Sequence, residues 1–445
     1  MSNCAKRKFL TLLSGIAVLL LISPVQAKVI PFSVAALDDG SLIGGMVVDN
    51  AGERAFLLKV DLQGNEVWNR TYAEDCSSAI WTVEKVQGGY ALGGVSGCGP
   101  HNAWVAKVDE DGKIIWERIY GAENQADDGV TAVLPDGSGF LAAMTVASCS
   151  GCKTKDTWIV KFDGNGNELW RRVFDFGEYD SIKMLRRTGD GGVIAVGAVS
   201  DSLTNLNYDV LVIKLDAQGR VEWKGFFDLG FQDCAWDAAE TAGGYTVVGE
   251  SWGCGSCANA SSPVAKAFVI RLNHSGSQDA LFYIEKGRAT SAWSVLDDGK
   301  TAIAGLSANG TGNYVWIMRG NETILAPRSD FFIFPLIYGL VRMAETKDGY
   351  LLVSSACSGN CIWLGKFGFD GNLISERTYI IPEIQGNESE DTIKVCPHAG
   401  DSSAIPSPSY NYGAENTVPS NFNLPFYAVL TLVIASALFF VLSRL

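Results

Sequence analysis

The chain has 445 residues, enough for several average domains or for one large repeat domain. Its 35 Lys and Arg against 49 Asp and Glu give a formal net charge of −14. Such an acidic chain repels nucleic acid and anionic membrane surfaces, so we expect neither as a partner and attribute the charge to solubility. Its 49 glycines, 12 tryptophans and 21 phenylalanines indicate many tight turns between short buried strands.

The first residues are typical of a secretory signal. Residues 1–27 place three basic residues, 6–8, before the apolar run FLTLLSGIAVLLLI and end in PVQA, which has the small residues that cleavage needs. We therefore predict that the chain is exported and that the signal is removed after Ala27.

Two kinds of hairpin then alternate along the chain. The first half of the repeated unit resembles WTVEKVQGGYALGG, and it occurs seven times, at 33–45, 81–94, 130–144, 182–197, 237–250, 293–305 and 340–353. The second half resembles WIVKFDGNGNELW, and it follows each time, at 55–72, 103–120, 157–174, 210–227, 267–284, 315–332 (a degraded copy) and 362–379. Its turns carry Asp and Gly, which favour hairpin turns rather than calcium loops, since DGNGNE at 163–168 lacks the residues that a calcium loop requires.

Seven units of four short strands predict an all-β fold, a seven-bladed β-propeller of four-stranded blades over 28–380. A single blade cannot bury both of its faces, whereas a ring of blades buries them and leaves no long open edge. The alternative is a β-helix or an open solenoid. The turns disfavour it, because they fall at hairpin spacing rather than at a constant rung length.

A tryptophan recurs at one position of the outermost strand, at Trp68, Trp116, Trp170 and Trp223. We expect these rings to dock each blade onto its neighbour. With units such as WIVKFDGNGNELW, the chain resembles the propeller repeats of surface-exposed archaeal and bacterial proteins. It is more loosely similar to the tryptophan-docking repeats of quinoprotein propellers. The resemblance implies the fold over about 30–380 and leaves the activity open.

The C-terminal region departs from the repeat. Residues 381–425 are rich in Ser, Pro and Asn, which predicts an extended stalk. Residues 426–442 are apolar and uncharged, long enough to span a membrane as a helix or to act as a cleaved sorting or lipid-anchor signal. Arg444 follows this segment, so we expect type I topology, with the body of the protein outside the cell and attached to its membrane through the C-terminal helix.

Ten cysteines remain once Cys4 leaves with the signal, an even number in an oxidising compartment. The local pairs that we expect are Cys149–Cys152, Cys254–Cys257, Cys357–Cys361 and Cys76–Cys98, with Cys234–Cys396 remaining. An alternative joins Cys234 to Cys254 and Cys257 to Cys396. Zinc binding and redox chemistry are further interpretations of the Cys-x-x-Cys spacings. Glycosylation acceptors of the type Asn-x-Ser/Thr occur at Asn69, Asn259, Asn273, Asn309, Asn321 and Asn387.

In a four-stranded blade, the connections between the second and third strands share a face with the connections between blades. All the cysteines from Cys76 to Cys361 lie at that face, which predicts long loops stapled by disulfides. Acids also gather where the innermost strands begin, at Asp75, Asp128, Asp180 and Asp233. Converging at the channel mouth, they would bind calcium; the alternative is that they are solvated loop residues. No other cofactor is expected.

Three tryptophans, Trp81, Trp236 and Trp293, share one register of the innermost strand, where they either stack on sugars or pack in the core. His101 lies on the cysteine-bearing face and is the one candidate histidine, because His274 lies in a turn and His398 near the stalk. The sequence contains no HExxH, no phosphate-binding loop and no G-x-S-x-G.

These features predict a cell-surface propeller that acts in adhesion, in envelope structure or in binding a protein or glycan through its disulfide-stapled face. The competing class is an extracellular enzyme, a glycoside hydrolase or a quinone-dependent dehydrogenase, with its site in the channel. A third possibility is a passive wall component.

Overall fold

Each half of the repeated unit folds as an antiparallel hairpin, because alternating apolar residues flank a turn that Gly or Asp closes. The computed structural model describes residues 28–49, 52–72, 77–97, 101–121, 128–148, 153–202, 207–230, 232–252, 265–286, 289–309, 312–320, 322–325 and 341–380. The predicted signal (1–27), stalk (381–425) and membrane segment (426–442) lie outside these ranges. No helix within the described ranges has the length and apolar character of a membrane span.

The described residues contain 28 strands, and every consecutive set of four forms an antiparallel meander, here called repeats 1 to 7. Repeats 1 to 3 comprise β1 (Lys28–Leu37), β2 (Gly40–Asp49), β3 (Gly52–Asp61), β4 (Glu66–Tyr72), β5 (Ser77–Val86), β6 (Gly89–Gly97), β7 (Asn102–Val108), β8 (Ile114–Tyr120), β9 (Gly129–Asp136), β10 (Gly139–Ala147), β11 (Lys155–Phe162) and β12 (Glu168–Phe174). Repeats 4 and 5 comprise β13 (Tyr179–Arg187), β14 (Val193–Ser200), β15 (Asp209–Leu215), β16 (Val221–Phe227), β17 (Gln232–Thr241), β18 (Gly244–Trp252), β19 (Ala265–Leu272) and β20 (Gln278–Ile284). Repeats 6 and 7 comprise β21 (Ala289–Asp297), β22 (Thr301–Asn309), β23 (Gly312–Arg319), β24 (Glu322–Leu325), β25 (Arg342–Thr346), β26 (Gly349–Ala356), a short 3₁₀ turn (Cys357–Gly359), β27 (Cys361–Gly368) and β28 (Leu373–Ile380).

Repeats 3 and 4 are joined into one eight-stranded sheet by a parallel contact between Lys155 and Tyr179, and each of the other repeats is its own four-stranded sheet. The predicted hairpins are therefore confirmed, including the degraded one, which survives as the short strand β24. The fold is all-β and propeller-like.

Buried apolar clusters lie between consecutive repeats. The cluster between the last repeat and the first joins Val34 and Phe56 to Val353 and Ile362. The Ser355 hydroxyl also donates to the carbonyl of Val29 at 3.2 Å. Since each sheet buries both faces against its neighbours, most of the hydrophobic stabilisation lies at these junctions rather than within single repeats.

The recurrent tryptophans dock the repeats, as predicted. Trp116 stacks on Phe140 of repeat 3 with ring centroids 5.5 Å apart, and its indole donates to the carbonyl of Gly164 at 3.2 Å. Gly166, at a φ of 81°, closes the turn above the ring, and a Cβ there would lie 2.6 Å from the indole. Glycine is thus required at position 166 for two reasons: the backbone is left-handed there, and the indole ring lies too close for a side chain.

The first strands carry a β-bulge at a shared register in repeats 1 to 6. The extra residues are Phe32, Trp81, Thr131, Lys183, Trp236 and Trp293. A bulge re-aims the side chains that follow it. The bulges therefore turn polar side chains of the first strands toward the neighbouring repeats and toward the space that the first strands enclose.

Candidate functional site

The two faces of the fold differ in the length of their connections. On one face, here the turn face, the strands of each hairpin are joined by two to five residues. On the other, here the loop face, the connections from second to third strand cover residues 148–154, 201–208 and 253–264 in repeats 3 to 5, which is 7, 8 and 12 residues. The corresponding connection in repeat 1 has only two residues, 50–51. Most of the residues in the long connections lie outside the described ranges.

The predicted acidic residues lie on the loop face at the junctions between repeats. Asp180 and Asp233 are fully buried at the start of the first strands of repeats 4 and 5. Each accepts a hydrogen bond of 2.7 Å on Oδ2, from the backbone N–H of Phe176 and Leu229 respectively. Asp128 is also buried and accepts from the N–H of Ala147 at 2.8 Å. Asp75 lies outside the described residues.

Asp128, Asp180 and Asp233 do not meet at one channel mouth, contrary to the expectation of a single calcium site. Two of them instead belong to separate clusters of three carboxylates. Asp180 lies with Asp156 and Asp175, and in each cluster the ligand oxygens are within 4.8 Å of one another. The second cluster consists of Asp209, Asp228 and Asp233. The physical reason is that a first strand begins beside the preceding repeat, so its leading carboxylate faces that repeat rather than the axis.

Each cluster costs folding free energy when its carboxyl groups are ionised, because three of them lie close together. Burial, with the neighbouring Asp175 and Asp156 adding to its effect, raises the pKa of Asp180 to about 6. Burial likewise raises the pKa of Asp233, with Asp228 and Asp209 adding to the effect. One oxygen each of Asp180, Asp209 and Asp233 is buried without a hydrogen-bond partner among the described residues. The charged groups that shift the pKa of Asp180 and of Asp233 are all acidic.

The cysteine predictions are tested at one pair. Cys357 and Cys361 form a disulfide across the connection between β26 and β27, as predicted. Cys234 is a free thiol among the described residues, and the two partners expected for it, Cys254 and Cys396, lie outside the described ranges. It lies on β17 among charges that include Lys183 and Glu250, and burial raises its pKa to about 12. Cys234 is the third residue of β17, near the loop-face end of that strand and opposite Glu250 of β18. The cysteines at positions 76, 98, 149, 152, 254, 257 and 396 lie outside the described residues.

His101 lies where β7 begins, on the loop face. Its Nε2 is 2.7 Å from the hydroxyl of Ser77, and that hydroxyl also contacts the carboxylate of Glu53. A carboxylate only accepts, so Ser77 donates its single proton to Glu53 and His101 donates to Ser77. In this arrangement the imidazole orients the serine and does not act as its general base.

A cavity of about 300 Å³ lies between the first strands of six repeats and thus on the axis of the fold. It is lined by Ser33, Trp81, Thr82, Glu84, Thr131, Arg186, Ser294 and Arg342, among others. Of the predicted tryptophans, only Trp81 lines it. Trp236 and Trp293 pack against each other with ring centroids 4.3 Å apart, and Trp293 is only 5% exposed, which favours the core-packing interpretation for this pair.

Charged residues inside the ring were not predicted from the sequence. Arg186 forms a two-pronged ion pair with the fully buried Asp237, at 2.9 and 2.7 Å. Asp237 also accepts from the hydroxyl of Ser294 and from the backbone N–H groups of Ala238 and Val295, at 3.0, 2.8 and 3.0 Å. Its two oxygens are therefore fully engaged in joining three repeats, and Asp237 is not available as a second acid for hydrolysis.

Glu84 and Arg342 are two charged groups of the cavity that have no ion-pair partner among the described residues. No described residue hydrogen-bonds the carboxylate of Glu84, and burial raises its pKa to about 7, with Arg186 opposing the shift. Arg342 donates to the carbonyls of Trp236 and Trp293 at 3.4 and 3.0 Å, and no described carboxylate lies within ion-pair distance of it. Burial, with Arg186 adding, lowers its pKa to about 10. The cavity thus presents a cation, and a carboxyl group that is mostly protonated below about pH 7, to any small molecule that enters.

A larger cavity of about 1060 Å³ opens on the turn face between repeats 7, 1 and 2. Its charges are already paired, for example Lys347 with Asp38 and Lys366 with Asp348, both at 2.9 Å. These partners are exposed pairs that solvent screens, so this cavity offers a ligand few unpaired groups.

The glycosylation acceptors fall in three groups. Asn69 lies half-buried on β4, with its amide donating to Glu66, and Asn273 closes the turn between β19 and β20 by accepting from the N–H of Ser275. Asn309 ends β22. The acceptors at 259, 321 and 387 lie outside the described residues.

No protein-family model matches the chain, and no curated protein matches it. Among solved structures, it is similar to Sqt1 from Chaetomium thermophilum, with 11% identity over 79% of this chain and 89% of that one and a TM-score of 0.44. It is similar to a mutant of the Synechocystis apocarotenoid oxygenase, with 10% identity, 79% and 90% coverage and a TM-score of 0.42. It is also similar to the lignostilbene dioxygenase of Pseudomonas brassicacearum, with 9% identity, 81% and 92% coverage and a TM-score of 0.47. Likeness of this degree carries no inference about activity or ligand.

Proposed function

We propose that the chain is a seven-bladed β-propeller held at the outer cell surface, where it binds a protein or glycan ligand through the loop face of repeats 3 to 5. The observation that carries this proposal is the unequal length of the connections. Rigid sheets with uniform turns on one side and three consecutive long loops on the other have the form of a scaffold that presents a recognition surface.

The blade number is supported by the seven meanders and by the packing of the last repeat on the first. The surface address is supported by the signal-like residues 1–27 and the apolar segment 426–442. The Cys357–Cys361 disulfide agrees with an oxidising compartment. Adhesion and envelope assembly are the two forms that this binding would take.

The first repeat provides the design of the test. Its second and third strands are joined by residues 50–51 alone, so the sequence of that short connection replaces residues 253–264 in a loop-face variant of the full-length protein. The matched control shortens the turn face instead, by replacing residues 188–192 with the two-residue turn 242–243 of repeat 5. Both variants shorten one connection and leave the strand sequences unchanged.

The proteins are immobilised and exposed to solubilised cell envelope of the producing cells and to a glycan array. We expect the wild type and the turn-face variant to retain the same component, and the loop-face variant to retain at least about tenfold less, the range in which hot-spot losses fall. Equal retention by both variants, with circular dichroism showing intact strands, would contradict the proposal.

A second candidate function is favoured by the axial cavity. Arg342 has no carboxylate partner among the described residues, and Glu84 is mostly protonated below about pH 7. The pair suits a small carboxylate or other anion rather than the two-carboxylate hydrolysis of a glycosidase. Isothermal titration with small dicarboxylates tests this function, and it predicts binding that the substitution Arg342→Gln abolishes.

A further inference from the structure

Corresponding positions at four successive junctions of the loop face differ in charge. The three positions are the start of a third strand, the residue after the fourth strand, and the start of the next first strand, which the strand registers align. Between repeats 2 and 3 these positions hold Asn102, Gly121 and Asp128, and between repeats 3 and 4 they hold Asp156, Asp175 and Asp180. Between repeats 4 and 5 they hold Asp209, Asp228 and Asp233, and between repeats 5 and 6 they hold Lys266, Glu285 and Thr290.

The last of these junctions shows how the fold satisfies the positions with its own cation. Lys266 pairs with Glu285 at 2.7 Å. Thr290 accepts from the backbone N–H of Lys286 at 2.9 Å, in the same way that Asp180 accepts from Phe176. An ammonium group thus lies where the two acidic junctions have a third carboxylate.

The first of these junctions is crowded around Gly121, which has no side chain to offer a ligand atom. A Cβ on Gly121 would lie 2.4 Å from the side-chain oxygen of Asn102 and 2.8 Å from that of Asp128. With one carboxylate, an amide and a glycine, this junction is neutral except for Asp128. It provides a natural control for the two acidic junctions.

The two acidic junctions combine three carboxylates with buried oxygens that lack a partner. Asp180 and Asp233 are fully buried, and one oxygen of each has no hydrogen-bond partner within the described ranges. Their ligand oxygens lie within 4.8 Å of those of the other two acids. The same arrangement occurs at equivalent positions of two successive junctions, between repeats 3 and 4 and between repeats 4 and 5.

We propose that each of the two acidic junctions, Asp156–Asp175–Asp180 and Asp209–Asp228–Asp233, binds one Ca²⁺ ion. Carboxylate oxygens alone are ligands for a hard cation. Ca²⁺ takes oxygens at about 2.3–2.6 Å, so oxygens on opposite sides of one ion lie up to about 5 Å apart, which fits the observed spread. Three carboxylates around one divalent ion also remove the mutual repulsion that burial makes costly.

The position of the two sites gives them a structural role. Asp156 and Asp209 follow the long connections 148–154 and 201–208, so each ion would tie the end of a long loop to the next repeat. The proposal goes beyond the loop-face function and does not rest on it, because metal binding is measured without any partner.

The test is isothermal titration of the metal-free, full-length protein with CaCl₂ alone, and with MgCl₂ in parallel. We expect Asp180→Asn and Asp233→Asn each to lose one equivalent of bound Ca²⁺ relative to the wild type, and the double variant to lose two. Asp128→Asn, the matched substitution at the Gly121 junction, is expected to lose none. The exposed residues Asp175 and Asp228 provide second variants, Asp175→Asn and Asp228→Asn, which weaken the same sites without altering a buried position.

Loss of one equivalent of Ca²⁺ in the single variants at each acidic junction, with Asp128→Asn unchanged, supports two separate sites. Binding that is unchanged in all the variants, an absence of Ca²⁺ binding by the wild type at millimolar concentration, or tighter binding of Mg²⁺ than of Ca²⁺ would overturn the proposal. If the loop-face variant loses envelope binding but retains both equivalents of Ca²⁺, ion binding and envelope binding are separate properties of the protein.

Discussion

Glu84 makes the stability of the protein depend on pH in a way that one substitution reveals. Burial raises the pKa of its carboxyl from 4.5 to about 7 in the axial cavity. Between these values the folded protein holds a proton that the unfolded chain releases, so stability falls as the pH rises from about 4.5 and levels off above about 7. Glutamine has the same shape and does not ionise, so Glu84→Gln removes this dependence.

The size of the effect follows from the shift. One pKa unit corresponds to about 1.4 kcal/mol, so a shift from 4.5 to about 7 amounts to about 3 kcal/mol above pH 8 and to nearly nothing at pH 4. We therefore expect Glu84→Gln to be more stable than the wild type by about 3 kcal/mol at pH 8 and equally stable at pH 4.

The assay is guanidinium-induced unfolding of both proteins, followed by tryptophan fluorescence from pH 4 to pH 8. Glu345→Gln is the control, because Glu345 also lines the cavity but is exposed at its mouth. Its curve is expected to run parallel to that of the wild type. A Glu84→Gln curve that also runs parallel to the wild type would refute the inference that the carboxyl is held neutral in the cavity.

Three further predictions concern the junctions. Trp116→Ala removes a docking ring that is 8% exposed, and we expect it to lower the unfolding free energy by about 3–5 kcal/mol. The control Ile115→Ala changes a neighbouring side chain that is 52% exposed, and we expect it to cost below about 0.5 kcal/mol. Both losses are measured by denaturant unfolding. Asp237→Ala leaves Arg186 without its ion-pair partner, so we expect a loss of about 3–5 kcal/mol, and a loss below about 1 kcal/mol would show that the pair does not join the repeats. In calcium-free buffer, the raised pKa of Asp180 predicts that the stability of the protein falls as the pH rises from about 4 to about 6. We expect Asp180→Asn to flatten this slope in thermal unfolding. An unchanged slope would show that Asp180 lies in a more solvated environment.

The repeated hairpins and the docking tryptophans could be predicted from the sequence because their signals are local and recur. The Gly-containing turns, the alternating apolar residues and the aromatic residues near the end of the unit recur at the same places in most copies. Trp81, Trp236 and Trp293 were aligned correctly for the same reason, and the structure places all three at the bulge of a first strand.

The charged groups of the axial cavity could not be predicted in this way, because each occurs in a single repeat. Where Glu84 and Arg186 lie, the other first strands carry apolar residues such as Ala35 and Leu134. Only the closure of the ring brings side chains 102 positions apart, Glu84 and Arg186, into one cavity. Alignment of the first strands by register would have revealed the exceptional charges.

The acidic clusters were predicted in part. Asp180 and Asp233 were recognised at the starts of first strands, but their partners come from the third strand and the connector of the preceding repeat. Those positions are about 24 residues and 5 residues away in sequence, at Asp156 and Asp175 for the first cluster. The first strands alone predict one shared site at the axis, whereas the structure has two clusters of carboxylates between repeats.

The most direct test of the recognition surface is a hydrogen-exchange footprint of the full-length protein with and without the envelope component that it retains. The account predicts slower exchange in peptides covering the loop-face segments 148–154, 201–208 and 253–264, with unchanged exchange in the turn-face segment 188–192. Protection of the turn face, or of β5 and β25 around the axial cavity with the loop-face segments unchanged, would contradict it.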